Sequence, residues 1–294
     1  MNQKQKVLIL GSTGLLGHQV FYYLKGNADY NISNIAFRKK LQSDSILLDI
    51  RDENKLIEHI EKFSPDYIIN CIGALIDSSE KNPEDAIFIN AFIPHRLAKL
   101  ADQVNAKLIH ISTDCVFSGK KGKSYIESDK KDGEGYYAKT KGLGEIFTNN
   151  HVTLRTSVIG PELKNNGSSL FHWFMNQSGS IPGYTNSIWS GVTSFELAKA
   201  VNWSIENNIK GLYHITNNTQ ISKFDLLILF KKYTKKEIEI IPKDGDKINK
   251  SFLDTRCLID YEIPSYDVMI GNMINMISDN RTLYSQYEVE NFDR

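Results

Sequence analysis

A tyrosine and a lysine lie four residues apart in the segment Tyr137-Ala138-Lys139-Thr140-Lys141. We predict a helix from Tyr137 to Phe147, with Leu143 and Ile146 facing a core, in which the phenol and the ammonium group share one face. A phenol titrates near pH ~10, and a neighbouring cation stabilises the phenolate and lowers that pKa. The pair could therefore exchange a proton with a reacting oxygen, although a solvated helix face also explains the spacing.

The start of the chain carries a second candidate site. The apolar run Val7-Leu8-Ile9-Leu10 is typical of a buried parallel strand, and helical spacing follows from His18 to Leu24. Between them lies the glycine-rich segment Gly11-Ser12-Thr13-Gly14-Leu15-Leu16-Gly17. This order favours binding of a dinucleotide. Gly11 would form the tight turn, Gly14 would approach the pyrophosphate, and Gly17 would let the helix pack on the strand.

Residues that could contact such a cofactor follow the next predicted strands. The second strand, about 34–37, ends at Arg38-Lys39-Lys40, where an NAD-specific site would place an acidic residue. Arg38 could pair with a 2′-phosphate, which favours NADP(H) and leaves NAD(H) as the alternative. After the third strand, 45–48, Asp49 and Ile50 could contact the adenine, or Asp49 could cap the next helix.

The fourth and fifth predicted strands, 67–72 and 107–111, deliver further polar and small residues to the same sheet edge. Cys71, Ile72 and Gly73 lie at the end of the fourth strand and leave room for the cofactor. Asn90, a further candidate for a cofactor contact, lies inside a helix that reaches Gln103; as a buried amide it would be a structural bracket or part of a proton relay. The fifth strand presents Ser112-Thr113-Asp114, and the polar loop 118–135 is a mobile segment or a surface excursion.

These motifs resemble those of a known family. Gly11-x-x-Gly14-x-x-Gly17, Ser112-Thr113-Asp114-x-Val116-Phe117, Tyr137-x-x-x-Lys141 and Gly144-Glu145 occur in the order of the extended short-chain dehydrogenase/reductases. The Ser-Thr-Asp string is similar to the branch of dTDP-4-dehydrorhamnose reductase (RmlD-like) and related nucleotide-sugar 4-keto reductases. The resemblance covers roughly residues 6–260. It implies NADP(H)-dependent reduction of a 4-keto group on a nucleotide-activated 6-deoxysugar, for surface polysaccharide precursors.

The resemblance also implies roles for individual residues. Tyr137 would protonate the sugar C4 oxygen, Lys141 would lower the tyrosine's pKa and hold the nicotinamide ribose, and Thr113 would bond the reacting oxygen. Asp114 would contact the sugar, and Thr156, after the sixth strand at 152–155, would back the nicotinamide. Val158 stands where the rhamnose enzymes are expected to carry a tryptophan. This difference favours another sugar, such as a UDP-linked N-acetylated 6-deoxyhexose.

The fold class that we predict is α/β, a doubly wound parallel (Rossmann) sheet with a smaller C-terminal α/β substrate lobe. Residues 1–159 would form the NAD(P)-binding domain, and residues 160–294 would form mainly the substrate lobe, with elements that can cross back to the sheet. Aromatic residues between 160 and 192 are interpreted as core. The polar tail after about Gly271 receives no role.

Composition narrows the class of partner and the compartment. Lys+Arg and Asp+Glu both number 35, so no net field attracts nucleic acid or a membrane. Cys71, Cys115 and Cys257 lack metal-ligand spacing and are interpreted as reduced, mostly buried thiols, and no metal site is predicted. Neither a signal peptide nor a membrane-spanning run is visible. We therefore expect a cytoplasmic enzyme, with a homodimer as one option.

Two alternatives stay open at this point. The first is an epimerase or dehydratase that uses the cofactor transiently; a dehydratase would be expected to carry an acidic pair after the site threonine, where Asp114-Cys115 stands. The second is a non-catalytic regulatory subunit, because the β-subunit of methionine adenosyltransferase is similar to this branch. The intact Tyr137/Lys141 pair favours chemistry over a purely binding role.

Overall fold

We describe the protein from a computed structural model, which covers residues 4–148, 150–256 and 261–290. The prediction for Cys257 lies outside these residues, whereas Cys71 and Cys115 are free thiols of intermediate exposure, which agrees with the expected mostly buried thiols. No helix in the described ranges is long and apolar enough to cross a membrane.

The strands alternate with helices along the first half of the chain, as the apolar runs predict, and further strands follow in the second half. They are β1 (Gln5–Leu10), β2 (Tyr30–Ala36), β3 (Ile46–Leu47), β4 (Tyr67–Asn70), β5 (Lys107–Thr113), β6 (Val152–Thr156), β7 (Val158–Ile159), β8 (Ser180–Tyr184), β9 (Ser187–Trp189), β10 (Val192–Thr193), β11 (Gly211–His214), β12 (Ile221–Ser222), β13 (Glu239–Lys243) and β14 (Ile248–Asn249). In the described part of the chain, the largest sheet has the order β11-β6-β5-β4-β1-β2-β3.

The helices are α1 (Gly17–Lys25), α2 (Glu53–Phe63), α3 (Ile76–Lys81), α4 (Pro83–Ala86), α5 (Ile93–Gln103), α6 (Gly135–Leu143), α7 (Leu170–Met175), α8 (Ser194–Glu206), α9 (Lys223–Thr234) and α10 (Tyr266–Asp279). A π-helical segment, Ile87–Phe92, joins α4 to α5, and a 3₁₀ turn, Asp114–Val116, follows β5. The predicted helix through Asn90 therefore contains a π-helical segment, a feature that often occurs near functional sites.

The strand order confirms the predicted doubly wound sheet. The β1 strand pairs in parallel with both β2 and β4, so chain order reverses on either side of it. Both faces of β1 are buried, since residues 7–10 are all 0% exposed, and one core cluster consists of aliphatic side chains from strands and helices, including Leu8, Ile68, Leu97 and Leu108, all fully buried. In such a sheet, ligands bind beyond the carboxyl ends of the strands at the reversal point, here between β1 and β4.

The chain divides into two compact units. The first comprises residues 1–116, 131–155 and 198–213 and contains most of the large sheet; the second comprises residues 117–130, 156–197 and 214–294. The second unit contains the small β-pairs and helices α7, α9 and α10. The predicted boundary between residues 159 and 160 stays a prediction.

Two of three local predictions are wrong, those for the end of the Tyr137 helix and for the start of the polar tail. The helix that carries Tyr137 ends at Leu143 and not at Phe147, and Leu143 is 67% exposed, although Ile146 is buried as expected. In the loop 118–135, Tyr125 is buried and stacks on Phe117, and the description of this loop as a mobile segment or a surface excursion stays a prediction. Gly271 lies in the middle of α10, whose apolar face is buried, so a polar tail does not begin there.

Candidate active site

The Tyr137 phenol lies at the carboxyl edge of the sheet, close enough to the Thr113 hydroxyl for that group to affect its pKa. Thr113 is the last residue of β5, and Tyr137 lies in the first turn of α6. Burial raises the pKa of Tyr137, and the neighbouring Cys115 thiol and Asp114 carboxylate raise it further, against the opposing effect of the Thr113 hydroxyl. The phenol is therefore protonated at neutral pH and can act as a proton donor.

The direction of this pKa change is opposite to the one predicted from the Tyr137/Lys141 spacing. The Lys141 ammonium group donates a hydrogen bond to the carbonyl oxygen of Ile111, 2.8 Å away. The lysine side chain is almost completely buried, and burial lowers its pKa to about 8, against opposing effects of Glu145 and Cys71. The loss of water around the phenol outweighs any stabilisation of the phenolate, so burial decides the direction.

A buried ion pair behind these residues was missed by the sequence analysis. Glu145 and Arg155 are each 1% exposed and form a two-pronged bridge, with Nε–Oε1 and Nη2–Oε2 distances of 2.7 Å. Ser112 donates to the same carboxylate at 2.7 Å, and Lys131 lies 3.1 Å from it. Burial alone would raise the pKa of Glu145, but the hydrogen bond and charge of Arg155 outweigh it and lower that pKa. The pair ties the segment after α6 to strands β5 and β6.

The sequence carried only part of the signal for this pair. Gly144-Glu145 appears among the motifs of the resemblance, but Arg155 is an unremarkable basic residue in a strand pattern. The pairing of Arg155 with Glu145 depends on the tertiary contact between β6 and the segment after α6.

The glycine-rich segment 11–17 has the backbone geometry expected of a dinucleotide loop. Gly11 follows β1 with φ +80°, a conformation that favours glycine. A Cβ on Gly17 would lie 2.2 Å from the carbonyl oxygen of Gly11, so only glycine lets α1 pack this closely. Ser12 donates to Asn34, whereas Thr13, Leu15 and Leu16 are partly exposed. A Cβ on Gly14 would lie 3.3 Å from the Gly11 oxygen, a tight contact but a much less severe one than at Gly17.

The other predicted cofactor contacts after β2 and β3 lie in the first unit. Arg38 is exposed, and its guanidinium lies over the Phe37 ring at 5.2 Å. The Asp49 carboxylate accepts a hydrogen bond from the Arg51 amide at 3.0 Å. The alternative that Asp49 caps the next helix is wrong, because Asp52 accepts from the Lys55 amide and caps α2. Ile50 is buried in the core below the sheet edge.

The turn after β4 borders the glycine-rich segment directly. The Cys71 amide donates to the Leu10 carbonyl oxygen at 3.1 Å, and Ile72 and Gly73 follow, partly exposed or exposed. Burial raises the pKa of the Cys71 thiol to about 12. These residues and the glycine loop line the two sides of the reversal point in the sheet.

The Asn90 side chain has the structural role of the two that the sequence left open, because it links two elements by hydrogen bonds. Its side-chain oxygen accepts from the Ala74 amide at 2.8 Å, and its nitrogen donates to the Ala74 carbonyl oxygen and to the Thr140 hydroxyl. The side chain thus joins the turn after β4 to α6. A direct contact of Asn90 with a cofactor stays a prediction.

The remaining predicted site residues belong to the second unit. The Thr156 hydroxyl donates to the Ile215 carbonyl oxygen at 2.9 Å, and Val158 pairs with Val192 between β7 and β10. Within the same unit, Trp189 donates its indole N–H to the Ser157 hydroxyl. The structure therefore brings Tyr137, Thr113 and Lys141 together in one unit, and the proposed roles of Thr156 and Val158 stay predictions.

Comparison with known proteins identifies relatives over most of the chain. The family model described as RmlD substrate binding domain matches residues 5–251. The dTDP-4-dehydrorhamnose reductase of Escherichia coli (strain K12) is 27% identical over 243 residues, covering 78% of each chain. Methionine adenosyltransferase 2 subunit beta of Xenopus laevis is 29% identical over 240 residues, covering 76% of this chain and 70% of that protein.

A solved structure agrees with the fold over almost the whole chain. The dTDP-4-dehydrorhamnose reductase of Bacillus anthracis str. Ames, in complex with NADP, superposes with a TM-score of 0.79 and 25% identity. The match covers 92% of this chain and 99% of that one.

Proposed function

We propose that this chain, which belongs to the RmlD substrate-binding domain family, reduces the 4-keto group of a nucleotide-activated 6-deoxysugar with a reduced nicotinamide cofactor. The observation that carries the proposal is the position of Tyr137 and Lys141 on α6 beside Thr113, the last residue of β5 at the edge of the sheet. Similarity to dTDP-4-dehydrorhamnose reductases over most of the chain supports this class of reaction.

The residues at the reversal point fit a dinucleotide. The backbone between β1 and α1 is bare at Gly11, Gly14 and Gly17, and the helix that follows directs its first amides toward this loop. When bound, the cofactor would supply the hydride. Residues 11–17, together with the turn at 71–73, would hold it, and the relative from B. anthracis is described as an NADP complex.

The chain's own groups would supply the proton and the orientation. The Tyr137 O–H would donate its proton to the C4 oxygen of the sugar, which becomes an alcohol as it accepts hydride at carbon. The Thr113 hydroxyl would share a hydrogen bond with that oxygen and hold it against the phenol. The Lys141 ammonium group would hold a ribose hydroxyl and stabilise the phenolate left after proton transfer.

The preference for NADP(H) rests on Arg38. This exposed guanidinium follows β2, where it can pair in two-pronged fashion with a 2′-phosphate, and its position over Phe37 restricts its orientation. Binding of NAD(H) is the alternative, which a direct comparison of the two reduced cofactors would decide.

The sugar is proposed more narrowly from Val158. Since an aliphatic side chain replaces the tryptophan expected in rhamnose enzymes, a UDP-linked N-acetylated 6-deoxyhexose is our preferred substrate over dTDP-4-dehydrorhamnose. The product would serve in the cytoplasm as a precursor of surface polysaccharide. A homodimer without nucleic-acid or membrane partners is proposed with it.

One specific observation favours a second candidate. Methionine adenosyltransferase 2 subunit beta is 29% identical over 76% of this chain, a similarity of the same order as the 27% over 78% found for the E. coli reductase. A regulatory subunit that binds a synthetase is therefore the alternative function. It would keep the cofactor loop but would not need the Tyr137 proton.

The test mixes the purified protein with NADPH and a panel of enzymatically generated dTDP- and UDP-4-keto-6-deoxysugars, and follows the absorbance of the reduced cofactor. We expect oxidation with one sugar class, and none with the Tyr137→Phe variant as the control. A protein that is inert on every sugar but remains bound to a methionine adenosyltransferase through gel filtration would refute the reductase proposal.

A further inference from the structure

Helix α6, which carries Tyr137, lacks a side-chain cap from its own N-cap residue. The first amides of a helix have no partner inside it, and the N-cap residue Glu134 does not supply one from its side chain. The helix begins at Gly135, whose φ is +81°. Its first amides must therefore be satisfied from elsewhere.

The missing acceptor comes from another helix. The Glu80 carboxylate, near the end of α3, accepts a hydrogen bond from the Tyr136 amide at 2.7 Å and from the Tyr137 amide at 3.4 Å. A Cβ on Gly135 would lie 2.6 Å from Glu80 Oε1, so glycine at this position lets the carboxylate approach. A negative charge at the amino end of a helix is also favourable to the helix dipole.

The position of Glu80 links two parts of the site. Helix α3 begins three residues after the 71–73 turn that we expect to line the cofactor. Asn90 makes a second link, from Ala74 to Thr140 one turn further along α6. The first and second turns of the Tyr137 helix are thus both held by side chains that are anchored next to this turn.

We propose that Glu80 is a positioning residue that fixes the backbone of Tyr137 and makes its position depend on the 71–73 turn. Its effect on turnover rests on the proposed reductase function, but its effect on the α6 backbone does not. The phenol and Thr113 belong to different elements, so the distance between their hydroxyls depends on where the first turn of α6 is held. A displacement of about 1 Å at a reacting group can reduce turnover by roughly 100-fold.

The test compares three variants of the full-length chain. Glu80→Ala removes the acceptor, Glu80→Gln keeps an acceptor oxygen without the charge, and Glu84→Ala is the matched control, since this exposed glutamate on α4 lies four residues further along. The readouts are kcat and KM with the active sugar, and hydrogen exchange of the Tyr136 and Tyr137 amides with and without NADPH.

For Glu80→Ala we expect kcat to fall by about 10-fold to 100-fold with KM within about 2-fold, because orientation and not binding is lost. Exchange at the two amides should accelerate by at least about 10-fold in this variant, and less in Glu80→Gln. NADPH should slow this exchange in the wild type and in Glu84→Ala but not in Glu80→Ala. Unchanged exchange in Glu80→Ala, or equal protection by NADPH in all variants, would overturn the proposal even if no sugar is reduced.

Discussion

Replacing Lys141 by methionine should stabilise the fold while it abolishes turnover. The folded protein holds this lysine almost completely buried, and burial lowers its pKa from 10.5 to about 8. A difference of about 2.5 in pKa, at about 1.36 kcal/mol for each pKa unit, means that folding with a charged Lys141 costs roughly 3 kcal/mol. The methionine side chain has similar length but carries no charge.

Part of that gain is lost with the hydrogen bond to Ile111. The bond of 2.8 Å contributes about 1 kcal/mol, so the Lys141→Met variant should be more stable than the wild type by about 2 kcal/mol at pH 7. The catalytic ammonium group is gone, and we expect no measurable turnover. Stability and activity should therefore change in opposite directions, as at sites that are strained for function.

The pH dependence gives a second, sharper signature. Between pH 8 and pH 10.5 the unfolded wild type still holds the Lys141 proton that the folded protein has released. The unfolded state then binds more protons, so this residue makes the free energy of unfolding rise with pH. The variant lacks that rise, and its advantage should shrink from about 2 kcal/mol at pH 7 to nearly zero at about pH 9.5.

The assay is urea unfolding of both proteins at several pH values from 7 to 9.5, with turnover measured in parallel. Lys107→Met is the matched control: this buried lysine begins β5, its pKa is also lowered to about 8, and it bonds Asn208 at 2.9 Å. It should show the same trend in stability but retain activity, because it lies at the end of β5 opposite Thr113. A Lys141→Met variant that is less stable than the wild type at pH 7, or a stability difference that is independent of pH, would refute the reasoning.

Three further predictions can be checked with the same preparations. Tyr137→Phe should bind the cofactor normally and lose turnover by several orders of magnitude, and near-normal turnover would remove the phenol from the mechanism. Arg38→Ala should raise the dissociation constant of NADPH more than that of NADH, whereas equal changes in fluorescence titrations would contradict the 2′-phosphate contact. Gly17→Ala should unfold at lower urea concentration because its Cβ would lie 2.2 Å from the Gly11 oxygen; Gly14→Ala should keep the stability and weaken cofactor binding instead.

The doubly wound sheet and its cofactor loop were predictable because their signals are local. Continuous apolar runs such as Val7–Leu10 are what a strand covered on both faces requires. The glycines at 11 and 17 follow one strand and precede one helix, and their backbone conformations agree with that placement. The pairing of Tyr137 with Lys141 on one helix follows from spacing alone.

Errors arose where packing between distant segments decides the outcome. Helix α6 ends before Gly144. A Cβ at this position would lie 1.9 Å from the Asn90 carbonyl oxygen, and no pattern in the neighbouring residues predicts that contact. The helical pattern of residues 266–279 was missed because its apolar residues are interrupted by Asn and Asp. The predicted decrease in the pKa of Tyr137 failed because burial depends on the whole fold.

The sequence by itself determined the strands of the large sheet up to β6, their doubly wound arrangement and the residue types that meet at the sheet edge, because periodicity and glycine placement act over a few residues. Only the tertiary structure decided how those residues are held. Glu80 reaches α6 from 56 residues away, Arg155 neutralises Glu145 inside the core, and burial raises the pKa of Tyr137 and lowers that of Lys141. Such effects depend on the distances and the exclusion of water that folding creates, and neither is written in the spacing of residues along the chain.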